Sequence, residues 1–579
     1  MKSLKPYFLI FLFLLVLPFF CFSKEPDFQF VVWGDSQFEH PEVFEDFVRK
    51  TNPLNPAFVI HVGDMITGYS YDREKIRNQW KRFKKQISPL KSDFYPVPGN
   101  HDVTTTDTED LYAEAWGKDR FYYSFSHKNS QFIILDTYLH QQDDTLPKLE
   151  IAWLRNQLEK NKNAENIFVF MHSPLFKRKQ YDWNPLHQLF GKYPVKAVFA
   201  GHYHIYYHKK LDNIRYFILN TSGEMRFSPN HLTGYSHGIL SVKVKGEDIH
   251  YAVHTKQGIF PPEAVPPDEH IRAGKFYQEE SASIIPNPEK KDVQTLIKVP
   301  VLNRTNEECE YVLKWEEKDS GFEFDPNEIK FSLDPGKTRD VGFNIRIPKG
   351  RYFKSELPRL EIRIPYINKA GWKTQISSYH SLFIPPELGA VFLKGKLLLD
   401  GKTDDPAWKG APSITTLYVD KKGTPAKQYT IVKVLYDKNN LYIGVKGEEP
   451  NPAGLQSLAH GEIPYVFADD SFEFYLDTNR DLKTFYRFMV NPKGTILSSG
   501  PKGFFSFQFD VETFVGKNFW SAEFQIPFTE LKSEVPSKGS EWGFNVRRGR
   551  QQAASTVSEW SRMRGFPAQP EYFGILEFE

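Results

Sequence analysis

Cysteine is nearly absent from this chain: of 579 residues only two are Cys, Cys21 and Cys309. Cys21 closes an apolar N-terminal leader. If that leader is removed, Cys309 has no partner, no intrachain disulfide can form, and the fold rests on its hydrophobic cores. An excess of charge of one sign is also lacking. Lys and Arg number 74 against 72 Asp and Glu, a formal net charge of +2, so composition gives no case for nucleic acid as a partner. Beyond the N-terminus no run is long and apolar enough to span a bilayer, and neither an internal repeat nor a low-complexity tract is present.

What is present in quantity is aromatic: 50 Phe and 29 Tyr, the composition of a β-rich chain with many half-buried positions. The length predicts three to four domains at about 150 residues each. Met1 to Lys5 carry two lysines, Tyr7 to Phe22 are almost wholly apolar, and Cys21-Phe22-Ser23 offers small residues at signal-peptidase spacing. These features predict a cleaved export signal over residues 1–23 and a periplasmic, secreted or cell-surface protein whose mature chain has no transmembrane span. A retained anchor or a lipid on Cys21 are the alternatives. The bulky Phe19 and Phe20 argue against the lipid.

From Asp27 to about Thr255 strand patterns alternate with helical ones. Ile76, Trp80, Phe83 and Ile87 recur at helical spacing within Tyr71 to Ile87, and Leu154 and Leu158 do so within Leu149 to Leu158. This rhythm predicts an α/β domain over 27–257. Prolines then crowd residues 258–294, which read as a linker. Period-two alternation follows at Tyr311, Leu313 and Trp315 and at Val341, Phe343, Ile345 and Ile347, predicting an immunoglobulin-like β-sandwich over 295–388. Residues 389–579 are again strand-rich.

Five short motifs carry the chemistry: Asp35-Ser36-Gln37, Gly63-Asp64, Gly99-Asn100-His101-Asp102, Met171-His172 and Gly201-His202-Tyr203-His204. Each ends or follows a run of β-branched and aromatic residues, so their polar side chains are expected at one edge of a sheet. Hydrolysis of a phosphate ester needs a nucleophile near neutral pH and neutralised phosphoryl oxygens, and two metal ions sharing a carboxylate meet both needs through a metal-bridging hydroxide. Asp64 is the candidate bridge. Asp35, Gln37 and His204 would complete one shell; Asn100, His172 and His202 would complete the other. His101, beside a ligand, would act as general acid or phosphate-binding cation. His40, His61, His127, His140, His187 and His208 have no such company, and His61, within a strand pattern, is expected to be buried.

These motifs resemble those of the calcineurin-like metallophosphoesterase superfamily, whose pattern is Asp-x-His, Gly-Asp, Gly-Asn-His-Asp/Glu, a lone His and Gly-His-x-His. The resemblance covers roughly residues 27–255 and implies a four-layer α-β-β-α fold and a phosphatase or phosphodiesterase acting on mono- or diesters. The chain departs from the pattern at Gln37, where His is usual. An amide oxygen is a harder ligand than imidazole, so two divalent ions of the Mn, Fe or Mg kind are expected over Zn.

Residues 389–579 carry a second set of markers: Asp404-Asp405-Pro406-Ala407-Trp408, Asn440-Leu441-Tyr442-Ile443-Gly444, Asp469-Asp470-Ser471-Phe472-Glu473-Phe474 and Trp542-Gly543-Phe544-Asn545-Val546-Arg547-Arg548. They resemble the β-sandwich of family 9 carbohydrate-binding modules, which implies a glycan ligand. Sugar binding needs exposed aromatic faces and polar groups for hydroxyls, and Trp542, Trp560, Arg547 and Glu473 are the candidates. The two readings are thus an exported phosphoesterase targeted to glycans, and a surface carbohydrate-binding protein with a vestigial phosphoesterase domain. Oligomeric state is not legible.

Overall fold

The computed structural model describes residues 27–579 except 71, 139–145, 180, 225–229, 280, 287, 289–291, 317–320, 350–356, 421–422, 460–465, 502, 505–506, 552–556 and 562–567. The expected export signal with Cys21, and His140, lie outside the described residues. No helix among the described residues is long and apolar enough to cross a membrane.

The first domain is built from twelve strands: β1 (Phe28–Trp33), β2 (Phe58–His61), β3 (Asp93–Pro96), β4 (Tyr123–His127), β5 (Ser130–Ile134), β6 (Asn166–Phe170), β7 (Val195–Ala200), β8 (Tyr207–Leu211), β9 (Ile214–Ile218), β10 (Gly238–Lys245), β11 (Asp248–Thr255) and β12 (Ile259–Phe260). They form two six-stranded sheets, ordered β12-β11-β10-β1-β2-β3 and β4-β5-β6-β7-β9-β8. Strands β1 to β3 are mutually parallel, as are β5, β6, β7 and β9. All six residues of β1 are buried, because both faces of its sheet are covered. Phe28, Phe30 and Val32 point into the core between the sheets, whereas Val31 and Trp33 point to the helices.

Helices α1 (Pro41–Thr51), α2 (Arg73–Ile87) and α3 (Thr106–Trp116) cover the outer face of the first sheet, and α4 (Lys148–Lys160) and α5 (Asn184–Phe190) cover that of the second. The result is the four-layer α-β-β-α arrangement. Helix α2 begins at Arg73 because the Asp72 carboxylate accepts the N–H groups of Glu74 and Lys75 at 2.9 and 3.1 Å, capping the first turn. It buries Ile76, Trp80 and Phe83.

Residues 258–294 correct the linker expectation. Pro262 starts a 3-10 turn, a short helix spans Glu269–Gly274, and Ser281–Ile284 pairs in parallel with His380–Phe383. Ala273, Phe276 and Ile285 enter the core of the middle domain. Apolar residues spaced by turns rather than by an element carry no period, which is why the segment reads as linker. Asn368 Nδ2 donates to the carbonyls of Leu232 and Ala264 at 3.2 and 2.6 Å, and Tyr366 donates to the buried Glu269 carboxylate, so this joint is pinned to both neighbours.

The middle domain is a β-sandwich of a five-stranded and a three-stranded sheet around Leu313, Trp315, Phe343 and Ile345. Strand Glu387–Phe392 already belongs to the C-terminal domain, where it pairs with Gly574–Phe578. There one continuous sheet folds over a core that includes Phe472, Phe474, Phe488, Trp520, Phe524 and Phe544. Trp408 donates from Nε1 to Glu523 at 2.8 Å, and the other oxygen of Glu523 accepts the N–H groups of Asp400 and Gly401 at 3.0 and 2.9 Å, closing the entry turn.

Phe30 is fully buried and meets the rings of Phe58, Phe132 and Phe168 at centroid distances of 5.6, 5.3 and 5.2 Å. Phe30→Ala should therefore destabilise the first domain by about 3–5 kcal/mol, read as a downward shift of that domain's transition in calorimetry.

Candidate metal centre

The five motifs follow the carboxyl ends of parallel strands. Asp35 comes two residues after β1, Asp64 three after β2, Asn100 four after β3, His172 two after β6 and His202 two after β7. Loops leaving the same end of two packed sheets converge over the crevice between them. That convergence brings together residues far apart in the sequence, as in the contacts of the His202 N–H with both Asp35 oxygens, 167 positions away and each at 3.1 Å.

Two clusters of donor atoms result, one of Asp64, His172 and His202 and one of Asp35, Asp64 and His204, and within each the atoms lie no more than 4.8 Å apart. Asp64 belongs to both. Its Oδ2 is 3.2 Å from His172 Nε2, and His204 Nε2 is 3.1 Å from Asp35 Oδ2. Asn100 Oδ1 lies 3.0 Å from His172 Nε2 and 2.9 Å from His202 Nδ1. Ligands about 2.0–2.2 Å from a common ion and roughly at right angles stand about 3 Å apart, so this donor set fits two ions that share Asp64. Gln37 is buried at the bridge, and its amide nitrogen donates to Asp64 Oδ2 at 2.8 Å. Rotating that amide by half a turn presents its oxygen instead.

The second contacts of the imidazoles fix their orientation. His172 Nδ1 donates to the Val62 carbonyl at 2.7 Å and His101 Nδ1 to the Thr67 carbonyl at 2.6 Å, which leaves each Nε2 turned to the site. His101 Nε2 is 4.0 Å from Asp64 Oδ2. Backbone strain accompanies this geometry: Gln37, Asp64, His202 and His204 have φ of 38°, 59°, 72° and 53°, the left-handed region that bulky side chains avoid. Gly63, at φ 97°, has no room for a side chain, since a Cβ there would lie 2.5 Å from His172 Nδ1.

Burial pushes the Asp64 carboxyl up, but His172 and His101 outweigh it and hold the group low. Asp35 is likewise held low against its burial by His204 and His172. In return, against burial, Asp64 raises His172 to about 9 and Asp35 raises His204 to about 8. Burial, with His172 adding to it, depresses His202 to about 4. His61 is fully buried behind the site, 3.2 Å from Ser36 Oγ, and burial pushes it down to about 3.

Sequence reasoning assigned no part to several neighbours. Asp102 is the clearest case: its carboxylate accepts the N–H groups of Asp64, Met65, Ile66 and Gly99 at 2.8, 3.0, 3.3 and 3.0 Å, tying the second motif to the third. Its place in the third motif was the available signal. The Arg178 guanidinium donates to His202 Nε2 at 3.0 Å, but in the sequence it sits inside Lys177-Arg178-Lys179, indistinguishable from a solvated basic run. Tyr69 accepts the Asn100 amide at 2.9 Å, and its ring lies 4.5 Å from that of His101.

In the C-terminal domain the aromatic expectation is corrected. Trp542 is 4% exposed and packs on Phe528 and Phe578; Trp560 is 8% exposed and packs on Phe544. Both lie in the hydrophobic core, so neither offers a face to a sugar. The two polar candidates do meet: Arg547 Nη1 is 3.7 Å from Glu473 Oε2, and Arg487 and Tyr475 also donate to Glu473.

The family model for calcineurin-like phosphoesterases matches residues 28–206, and that for carbohydrate family 9 binding domain-like domains matches residues 399–579. The chain therefore carries a calcineurin-like metallophosphoesterase domain followed by a C-terminal domain of the family 9 type. Among curated proteins it is similar to the serine/threonine-protein phosphatase CPPED1 of Danio rerio, 28% identical over 195 residues, or 30% of this chain and 62% of the relative. The same protein of Rattus norvegicus is 28% identical over 197 residues, 30% of this chain and 61% of the relative. The chain thus spans about three fifths of the length of these relatives. A solved dimetal phosphatase from Danio rerio is similar at 16% identity and a TM-score of 0.32, over 40% of this chain and 96% of that one. A family 9 module from Caldicellulosiruptor kristjanssonii in complex with cellotriose is similar at 18% identity and a TM-score of 0.27, over 33% of this chain and 93% of that one.

At pH 7 His172 and His204 hold protons in the metal-free chain, since they are raised to about 9 and about 8. Ions that take their Nε2 atoms must displace those protons. Calorimetric titration of the metal-free protein with Mn in buffers of different ionisation enthalpy should show release of about two protons at pH 7 and progressively fewer as pH rises through 8 and then 9.

Proposed function

We propose that the chain is an exported, metal-dependent phosphoesterase acting on phosphate mono- or diesters and directed to glycans by its C-terminal domain. The observation that carries this reading is the pair of donor clusters sharing Asp64, in a domain that matches the calcineurin-like phosphoesterases. Asp35, Gln37 and His204 would hold one ion and Asn100, His172 and His202 the other, and Asp64 belongs to both donor clusters. Bound there, two divalent ions would supply a nucleophile near neutral pH and neutralise the phosphoryl oxygens.

The chain's own groups do the rest. His101, held through Nδ1 by the Thr67 carbonyl, turns Nε2 to the substrate, where it binds a phosphoryl oxygen or gives a proton to the leaving group. Arg178, bonded to His202 Nε2, adds a cation beside the site. Gln37 contributes its amide oxygen after a half-turn, and that harder ligand favours Mn, Fe or Mg over Zn. The middle sandwich, read as immunoglobulin-like, acts as a spacer. Residues 1–23 direct export.

Supplied with Mn, the protein should hydrolyse aryl phosphate mono- or diesters, and Asp64→Asn should lower kcat/KM at least about a thousandfold, the loss of roughly 4 kcal/mol of transition-state stabilisation. A wild-type protein inactive on both would leave the carbohydrate-binding reading with a vestigial phosphoesterase domain. Gln37→His should raise Zn affinity relative to Mn by about tenfold or more, measured by chelator competition.

A further inference from the structure

Thr67, Gly68 and Tyr69 form a hook over the third motif. The Thr67 carbonyl accepts His101 Nδ1 at 2.6 Å, and Thr67 Oγ1 donates to the Gln37 carbonyl at 2.8 Å. Gly68 donates its N–H to the Gln79 side chain on α2 at 2.9 Å and stands so close to the His101 carbonyl that no Cβ would fit there. Gly68 and Tyr69 both have left-handed backbone, with φ of 60° and 42°. Glycine adopts that conformation freely, but a tyrosine does so at a cost. Such outliers persist only where the surroundings hold them, and they cluster at functional sites.

The Tyr69 side chain meets the third motif twice. Its hydroxyl accepts Asn100 Nδ2 at 2.9 Å, and its ring meets the His101 imidazole edge to face, 4.5 Å between centroids and 82° between planes. The orientation of the Asn100 amide follows from its other neighbours. A guanidinium has donors only, so His202 Nε2 accepts from Arg178 at 3.0 Å, and the neutral ring then carries its proton on Nδ1. The Asn100 atom 2.9 Å from that Nδ1 is therefore an acceptor, the oxygen. The amide nitrogen points away from the donor cluster, where the Tyr69 hydroxyl receives it. Gln37 differs, since its amide nitrogen faces Asp64 Oδ2 at 2.8 Å. Of the two amides, Asn100 presents its oxygen as it stands, whereas Gln37 does so only after a half-turn.

We propose that Tyr69 is a positioning residue for both a metal ligand and the substrate-facing histidine: its hydroxyl keeps the Asn100 oxygen turned to the ion that His172 and His202 would share, and its ring keeps His101 Nε2 turned to the substrate. Hydrogen bonds that orient a ligand from behind carry a large share of metal affinity, and losing one costs about ten- to a hundredfold. A ring wall acts differently. It restricts the rotation of the imidazole about the single bond that the Thr67 carbonyl accepts, so the proton or phosphoryl contact of His101 is made in one geometry. The two actions belong to different atoms, and substitution separates them: Phe removes the hydroxyl and keeps the ring, whereas Ala removes both. The His101 half rests on the phosphoesterase reading above; the Asn100 half rests only on the donor clusters.

The test uses the full chain, with the melting temperature confirming that each variant folds. Chelator competition should find two Mn ions, of which Tyr69→Phe weakens one about ten- to a hundredfold and leaves the other within about twofold. In an Asn100→Ala background Tyr69→Phe should weaken Mn no further. At saturating Mn, kcat on an aryl phosphate should stay within about twofold in Tyr69→Phe and fall at least about tenfold in Tyr69→Ala. Tyr69→Leu, apolar but without a flat ring, repeats the Ala comparison with less loss of packing. Added to His101→Ala, Tyr69→Ala should cost nothing more, because the ring acts through His101. Mn affinity unmoved by Tyr69→Phe would overturn the Asn100 half. Equal losses of kcat in Tyr69→Phe and Tyr69→Ala, or losses of Tyr69→Ala and His101→Ala that simply add, would overturn the His101 half. A wild-type protein that binds two Mn ions and hydrolyses no aryl phosphate would overturn the phosphoesterase reading and the His101 half with it, while the Mn affinities still decide the Asn100 half.

Discussion

Asp64 is a buried carboxylate set among other ionisable groups, and much of the first domain is arranged around keeping it there. Its Oδ1 accepts the His101 N–H at 2.9 Å, and its Oδ2 lies beside Gln37 and His172. Its own backbone N–H is held by Asp102. A charge in such a place is tolerable only when hydrogen-bonded and paired, and the partners come from the loops that follow β3 and β6 and from the first motif. The two sheets therefore cannot slide past each other without stripping Asp64 of compensation, so the same contacts that assemble the centre fix the relative position of the layers.

The elements that position the site were legible because they obey simple periods. Strand β1 ends in the apolar run Phe30-Val31-Val32-Trp33, and α2 repeats Ile76, Trp80 and Phe83 at helical spacing. The seven candidate ligands were legible because each sits just past such a run, where a buried strand ends. What escaped was of another kind. Asp102 acts through four backbone N–H groups, and a side chain bonded to main chain leaves no pattern of residue types. Arg178 earns its place by a contact with His202, 24 positions away. Trp542 and Trp560 have the composition of a sugar platform and the burial of a core, and composition alone does not tell a covered ring from a free one. Residues 258–294 hold their structure through Asn368 and Tyr366, which lie far along the chain.

The three domains are joined by side chains rather than by linker alone. Asn368 reaches back to Leu232 and Ala264, and Asn230 donates to Thr374 and Gln375, so the middle sandwich is anchored beside the loops that follow β9. Asp72 does two tasks at once: one oxygen caps α2 and the other holds Gln456. The start of a helix in the first domain is thereby coupled to a loop of the last, and a shift of either is felt at the segment that carries Thr67 and Tyr69.

The left-handed backbone at Asp64, φ 59°, limits what this position can become over evolutionary time. Asn and Gly tolerate that conformation readily, whereas β-branched and bulky residues do not. A lineage released from selection on catalysis would be expected to lose the carboxylate first by a change to Asn or Gly, keeping the turn and the layers intact. The present Asp, with its two companion clusters of histidine and carboxylate, is the state such drift would erase early.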